Sequence, residues 1–197
     1  AHNINLVTPT PYIRAIIESL DSPLPIPVVY NCGGYETVET ITALQGKIQI
    51  YLPDFKYIDA SLSSTYSMAS NYPEIAEKAI LQMYEQVGPY ELDAQGILKK
   101  GLIIRHLILP NCLDNTKRII DWVASHFKKG QVLFSLMRQY TPCGNAYKYP
   151  KINRSLTDRE YNKAEQYLFD SGIEDGFVQE KASASKMFIP SFDGTGV

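Results

Sequence analysis

What this chain lacks narrows the reading first. It has no apolar run of about 18 residues and no signal-peptide pattern, which argues against a transmembrane helix and against secretion. It has no basic stripe, and a formal charge of −2 is close to neutral, which argues against nucleic acid as a partner. Its 197 residues include only three cysteines, Cys32, Cys112 and Cys143. They are odd in number and far apart, which argues against a disulfide framework and for a reducing cytoplasm. None lies two or three residues from another, so they do not read as a metal site. The histidines are isolated, with no acid at metal-ligand spacing. No Walker lysine follows Gly33-Gly34, so the pair reads as a strand–helix turn rather than a phosphate cradle. Finally, there is no initiator methionine. The chain opens at Ala1-His2-Asn3 and enters a strand within a few residues, from which we expect a segment of a longer protein.

What is present alternates between two patterns. Short apolar runs rich in β-formers occur at Ile4–Thr8, Ile26–Asn31, Ile48–Leu52, Leu102–Leu109, Val132–Met137 and Gly176–Glu180. Between them lie amphipathic helical segments. Ile13, Ile16, Ile17 and Leu20 share one face, as do Val38, Ile41 and Leu44. The longest helix is expected from Asn71 as N-cap, with Pro73 in its first turn and Glu74 in a capping box, ending at Gly88-Pro89. Another carries Ile119, Ile120, Val123 and Phe127, with Trp122 packing beside them. A last one opens with the capping box Thr157-Asp158-Arg159-Glu160. Residues 57–70 and 138–156 read as long loops, and Tyr90–Gly101 as an excursion turning at Asp93-Ala94-Gln95-Gly96.

Continuous apolar strands alternating with amphipathic helices imply a parallel sheet with covered faces. The expected fold is α/β, a partial TIM-like (β/α)6 barrel over residues 1–181, with an irregular tail at 182–197. The loops after strands three and five are long, as expected when the carboxyl rim carries function.

That rim collects the candidate residues. The first strand exits at Thr8 and Thr10, the second at Asn31 before Cys32-Gly33-Gly34, and the third at Asp54 and Lys56. Arg105 and His106 lie on opposite faces of the fourth strand because side chains alternate. An arginine within an apolar strand is costly unless paired, so Arg105 either meets Asp54 or binds an anion. The same three charges also fit a purely structural ion-pair network. Ser135, Arg138, Gln139 and Tyr140 follow from the fifth strand, and Tyr147 and Tyr149 fit a binding surface or ordinary loop packing. Two alternatives stay open on these residues. One is a non-catalytic barrel module that binds a nucleotide or a protein partner. The other is a lyase using Lys56 as a Schiff-base amine.

Taken in order, the strand exits resemble the radical S-adenosylmethionine superfamily, and within it proteins similar to pyruvate formate-lyase activating enzyme. The stretches that carry the resemblance are Asn3–Pro11, Val28-Val29-Tyr30-Asn31-Cys32-Gly33-Gly34-Tyr35-Glu36, Tyr51-Leu52-Pro53-Asp54-Phe55-Lys56-Tyr57, Arg105–Pro110, Ser135–Pro142 and Gly176–Glu180. The resemblance implies a partial barrel holding a [4Fe–4S] cluster and S-adenosylmethionine at its rim. Electron transfer from the cluster then yields a 5′-deoxyadenosyl radical that abstracts a hydrogen atom. In activating enzymes the atom comes from a glycine of a partner, a glycyl radical enzyme, and an electron donor is also implied. Thr8-Pro9-Thr10 stands where the family has a glycine-glycine-acid element that meets the methionine amino group, so backbone and hydroxyl groups would make that contact here. Asn31 matches a position beside the methionine moiety. Asp54, Lys56 and Arg105 match charged positions that face the methionine carboxylate or the site's cation. The cluster-binding CxxxCxxC is missing. The first strand here therefore corresponds to the family's second, with the first βα unit absent. A cluster needs thiolates at close spacing, so none is expected in this chain, and the segment alone is expected to be inactive. The unpaired edge at Ile4–Thr8 is expected to self-associate or to be covered by the tail.

Overall fold

The apolar runs become parallel strands, and each amphipathic stretch crosses back to start the next. In the computed structural model, which describes residues 1–178, the strands are β1 (Ile4–Val7), β2 (Val28–Cys32), β3 (Ile50–Pro53), β4 (Glu91–Leu92), β5 (Leu98–Leu107), β6 (Leu133–Met137) and β7 (Gly176–Val178). The helices are α1 (Ile13–Ser19), α2 (Val38–Ala43), α3 (Ala60–Ser67), α4 (Tyr72–Val87), α5 (Leu113–His126) and α6 (Asp158–Asp170). The strands lie side by side in chain order, β1-β2-β3-β5-β6-β7, every neighbouring pair parallel. Short β4 is antiparallel to β5 and stands off this path. This is the expected partial TIM-like arrangement of parallel strands flanked by helices.

Alternation along β5 shows which face is which. Leu102, Ile104, His106 and Ile108 are all fully buried, whereas Ile103, Arg105, Leu107 and Leu109 are only half-buried. Leu102, Ile104 and Ile108 join Tyr30, Tyr51 and Phe134 of the neighbouring strands in one apolar cluster. Ala76, Ile80 and Met83 of α4, and Ile119 and Val123 of α5, close it from the other side. Burial of these large side chains at roughly 1.5–3 kcal/mol each dominates the stability. The helices thus cover one face of the curved sheet. The other face carries Asn31, Asp54, Arg105 and Ser135.

The elements depart from expectation where sequence periodicity is weak. Residues 57–70 are not a continuous loop, because α3 lies within them. Its sequence, ASLSSTYS, has no apolar stripe to announce it, and its one buried residue is Ser63. Asp59 caps it by accepting from the Ser61 amide at 2.8 Å, and Met68 ends it in the left-handed region. Asn71 precedes α4 as expected but its side chain does not cap the helix. Its Oδ1 accepts instead from the Tyr35 hydroxyl at 2.5 Å, while Glu74 pairs with Lys78 rather than closing a capping box. The excursion at 90–101 is a small hairpin. Asp93 holds its turn by accepting from the Gln95 and Ile97 amides, and β5 accordingly begins at Leu98, earlier than expected. The second long loop contains a 3-10 turn at Gly144–Lys148. The box at Thr157–Glu160 forms as expected. The last strand is described to Val178, and the tail expected at 182–197 lies outside the described residues.

Candidate functional site

The site begins where β3 runs out. Pro53 ends the strand, yet pairing continues one step further: the Asp54 amide donates to the Cys32 carbonyl at 3.0 Å and the Phe55 amide to the Arg105 carbonyl at 2.7 Å. Asp54 and Arg105 therefore stand opposite one another in a parallel bridge. Their side chains emerge together on the face not covered by helices. Arg105 Nη2 donates to Asn31 Oδ1 at 2.7 Å and approaches Asp54 Oδ1 to 2.8 Å, while Asp54 Oδ2 lies 3.5 Å from Lys56 Nζ. Three adjacent strands thus deliver Asn31, Asp54, Lys56 and Arg105 to one place.

The cluster is paired but not saturated. The Arg105–Asp54 contact is close without being aligned as a hydrogen bond, so Asp54 Oδ1 stays buried without a hydrogen-bond partner, as does Arg105 Nε. Two cations face one carboxylate, which leaves one positive charge uncompensated inside the cluster. Buried polar atoms are normally satisfied. Arg105 Nε is thus a buried donor with no acceptor, standing beside surplus positive charge.

The backbone beneath is held rigidly by neighbours that sequence reading passed over. The Tyr72 hydroxyl, at the start of α4, lies 3.0 and 2.8 Å from the carbonyl oxygens of Gly33 and Asp54 and accepts from the Lys56 amide at 3.0 Å. Asn115 of α5 accepts from the Ile58 and Asp59 amides and donates to the Lys56 carbonyl at 3.1 Å. His106 Nδ1 donates to the Phe55 carbonyl at 2.7 Å, and its Nε2 accepts from Thr116 Oγ1 at 2.9 Å. Burial holds the His106 imidazole down to about 4, so it is neutral at pH 7. Gly34 completes the frame. At φ +77° a side chain is already disfavoured, and a Cβ there would stand 2.0 Å from the Asp54 carbonyl oxygen.

Thr8 and Thr10 are not brought into the cluster by their side chains. Thr8 is exposed with a left-handed backbone, and its amide donates to the Asn31 carbonyl at 2.9 Å. Thr10 Oγ1 donates to Glu36 Oε1 at 2.9 Å and lies 3.1 Å from the Tyr30 hydroxyl. Tyr30 belongs to the helix-covered core, so this network sits behind the strand exits. Glu36 is its unexpected member: buried, with Oε2 unpartnered. An acid two residues past a double-glycine turn at a strand exit was the available signal for it. Burial, reinforced by the Glu36 carboxylate, pushes the Cys32 thiol well up, so Cys32 is not a thiolate.

The comparisons with known proteins come down to fold. No family model matches the chain. A protein of Methanocaldococcus jannaschii, itself uncharacterised, is 34% identical over 176 residues, which cover 85% of this chain and 47% of that protein. The chain therefore spans about half the length of that relative. Among solved structures, a domain of a pyruvate-formate lyase-activating enzyme from Bacteroides vulgatus superposes with a TM-score of 0.61 at 16% identity, covering 90% of this chain and 98% of that domain. The two share a fold.

Proposed function

We propose that this chain is the ligand-cradling part of a radical S-adenosylmethionine enzyme related to the activating enzymes, and that Asn31, Asp54, Lys56 and Arg105 hold the methionine end of S-adenosylmethionine. One observation carries the reading: the unsaturated, net-positive cluster stands at the carboxyl ends of adjacent parallel strands, where open α/β sheets bind ligands. The partly exposed cations of Arg105 and Lys56 are suited to a carboxylate, and the Asp54 carboxylate to the opposing cationic group. Asn31 fixes the guanidinium, and the Tyr72–Asn115–His106 frame preorganises all four. When bound, S-adenosylmethionine supplies a sulfonium that reductive cleavage turns into a hydrogen-abstracting radical.

A [4Fe–4S] cluster is a different matter. Cys32 and Cys112 are buried, Cys143 is exposed, and the described residues hold no group suited to a metal ion. The residues present do not fit a cluster, and no step here runs through one. In this reading a cluster would be held by residues other than these, and an electron donor and a protein substrate would be partners. The edge of β1, open among the described residues, would pair with a second copy of the chain. A Schiff-base role for Lys56 is less well supported, because its ammonium is half-exposed and paired with Asp54 rather than desolvated.

Calorimetry on the full chain with S-adenosylmethionine tests the proposal. Binding is expected, with Arg105→Met weakening it at least about tenfold, the scale of one charge-assisted hydrogen bond. A folded chain that does not bind, or an Arg105→Met variant that binds equally well, would overturn it.

A further inference from the structure

A second site lies on the same rim. Tyr57 follows Asp54 by three residues and Leu109 follows Arg105 by four. Both line a cavity of about 200 Å³ that Tyr66, Tyr140 and Tyr149 also wall. Tyr66 and Tyr149 meet edge-to-face, centroids 5.2 Å apart, and their outer sides line a second, open cavity of about 420 Å³. The outer cavity alone falls within the size range of small-ligand sites. The walls are fixed, because the Tyr140 hydroxyl donates to the Ile152 carbonyl at 3.0 Å and the Tyr57 hydroxyl lies 3.0 Å from Ser67 Oγ. The charged side chains that line the cavities are both cationic, with the Asp59 carboxylate behind Ser61, accepting from its Oγ at 2.7 Å. Lys148 and Lys151 line the outer cavity, neither makes an ion pair with a described residue, and no acidic side chain lines either cavity among the described residues.

We infer that this cleft binds a small aromatic acid, its ring among the tyrosines of the inner cavity and its carboxylate toward Lys148 and Lys151. Aromatic walls favour a ring through offset and edge contacts as well as through the area they bury. The two ammonium groups, Lys148 over the Tyr147 ring at 5.6 Å and Lys151 with no ion pair to a described residue, select against a cationic ring compound of the same size. The inference is independent of the S-adenosylmethionine reading, since it shares no residue with that cluster.

Indole-3-acetate and tryptamine have the same ring and opposite charge, which makes them the probes for calorimetry on the full chain. Indole-3-acetate is expected to bind at least tenfold more tightly than tryptamine. Tyr149→Ala is expected to weaken indole-3-acetate at least tenfold, and the exposed pair Lys148→Glu with Lys151→Glu to reverse the preference. Cys143 lines the inner cavity and is exposed, whereas Cys32 and Cys112 are buried. Saturating indole-3-acetate should therefore slow alkylation of Cys143 by iodoacetamide several-fold. Equal binding of the two probes, no binding of indole-3-acetate, an unchanged preference in the lysine variant, or unprotected Cys143 would each overturn the assignment. S-adenosylmethionine titrated into the lysine variant should bind as in the parent chain, so failure of one site is distinguishable from failure of the other.

Discussion

Arg105 and His106 are neighbours on one strand, and they divide the molecule between them. His106 points into the helix-covered core, fully buried, with both ring nitrogens hydrogen-bonded. Arg105 points to the other face, partly exposed, with Nε buried and unpartnered beside an imperfectly aligned carboxylate. The first arrangement is closed: every polar group has what it needs, and the result is a fixed backbone at Phe55. The second is open, with charge and a donor left over. Buried polarity that is complete acts as scaffold, and buried polarity that is incomplete marks a place for something else. Three measurements press on that distinction.

The largest effect is expected on the closed side. The His106 imidazole titrates at about 4 in the folded chain, against 6.5 unperturbed. As pH falls below about 6.5 the unfolded state takes up a proton that the folded state refuses until about 4. Stability contributed by the neutral ring is therefore intact at pH 7 and lost through that window, by about 3 kcal/mol for a difference of this size. Urea denaturation from pH 7 to pH 4.5 should show a steeper loss for the parent chain than for His106→Asn. Identical pH slopes would mean that His106 is not the closed element described here.

On the open side the expected outcome separates stability from binding. Asp54→Leu leaves the Arg105 guanidinium without its carboxylate and should cost about 2 kcal/mol, less than for a fully buried pair because roughly a fifth of each side chain is exposed. Adding Arg105→Met removes the orphaned charge and should bring stability back to within about 1 kcal/mol of the parent, since apolar replacements of ion pairs are often neutral. Binding of S-adenosylmethionine should not return with it. If the double variant stays as unstable as the single one, the cluster is holding the barrel together, and the structural ion-pair reading wins.

How much of this was legible beforehand follows from the same division. Strand runs such as Leu102–Leu109 and helix faces such as Ala76-Ala79-Ile80-Met83 announce themselves because burial imposes a period on the sequence. Arg105 was legible for the opposite reason: a charge interrupting an apolar strand has to be accounted for, and Asp54 at the neighbouring exit was the expected partner, while its bond to Asn31 emerged only from the structure. α3 was not legible, because its serines leave no stripe. Nor were Tyr72 and Asn115 as braces of the Asp54–Asp59 segment. Each reads as an ordinary helix residue, and only tertiary packing brings its polar group to a backbone some 16 or more positions away. Thr10 was placed at the site by its position after β1, but its hydroxyl turned to Glu36, a contact that no spacing in the chain announces.

The capping box of α6 supplies the small end of the scale, because it is polar and satisfied and its Thr157 bonds are exposed. Glu160 accepts from the Thr157 amide and hydroxyl, from both Arg154 Nη groups and from the Asn111 amide, which together hold its carboxyl far below the usual range. Water competes for the Thr157 and Asn111 bonds, so completeness is worth less there than in the core. Thr157→Ala should cost about 1 kcal/mol, the usual price of a lost N-cap. For a chain of this size that lowers the melting temperature by about 2–4 °C. S-adenosylmethionine binding should be untouched, since Asn31, Asp54, Lys56 and Arg105 pair with one another and not with the first turn of α6. A loss as large as that from opening the His106 network would show that exposure does not discount polar networks in this fold, and that burial is the wrong axis along which to sort them.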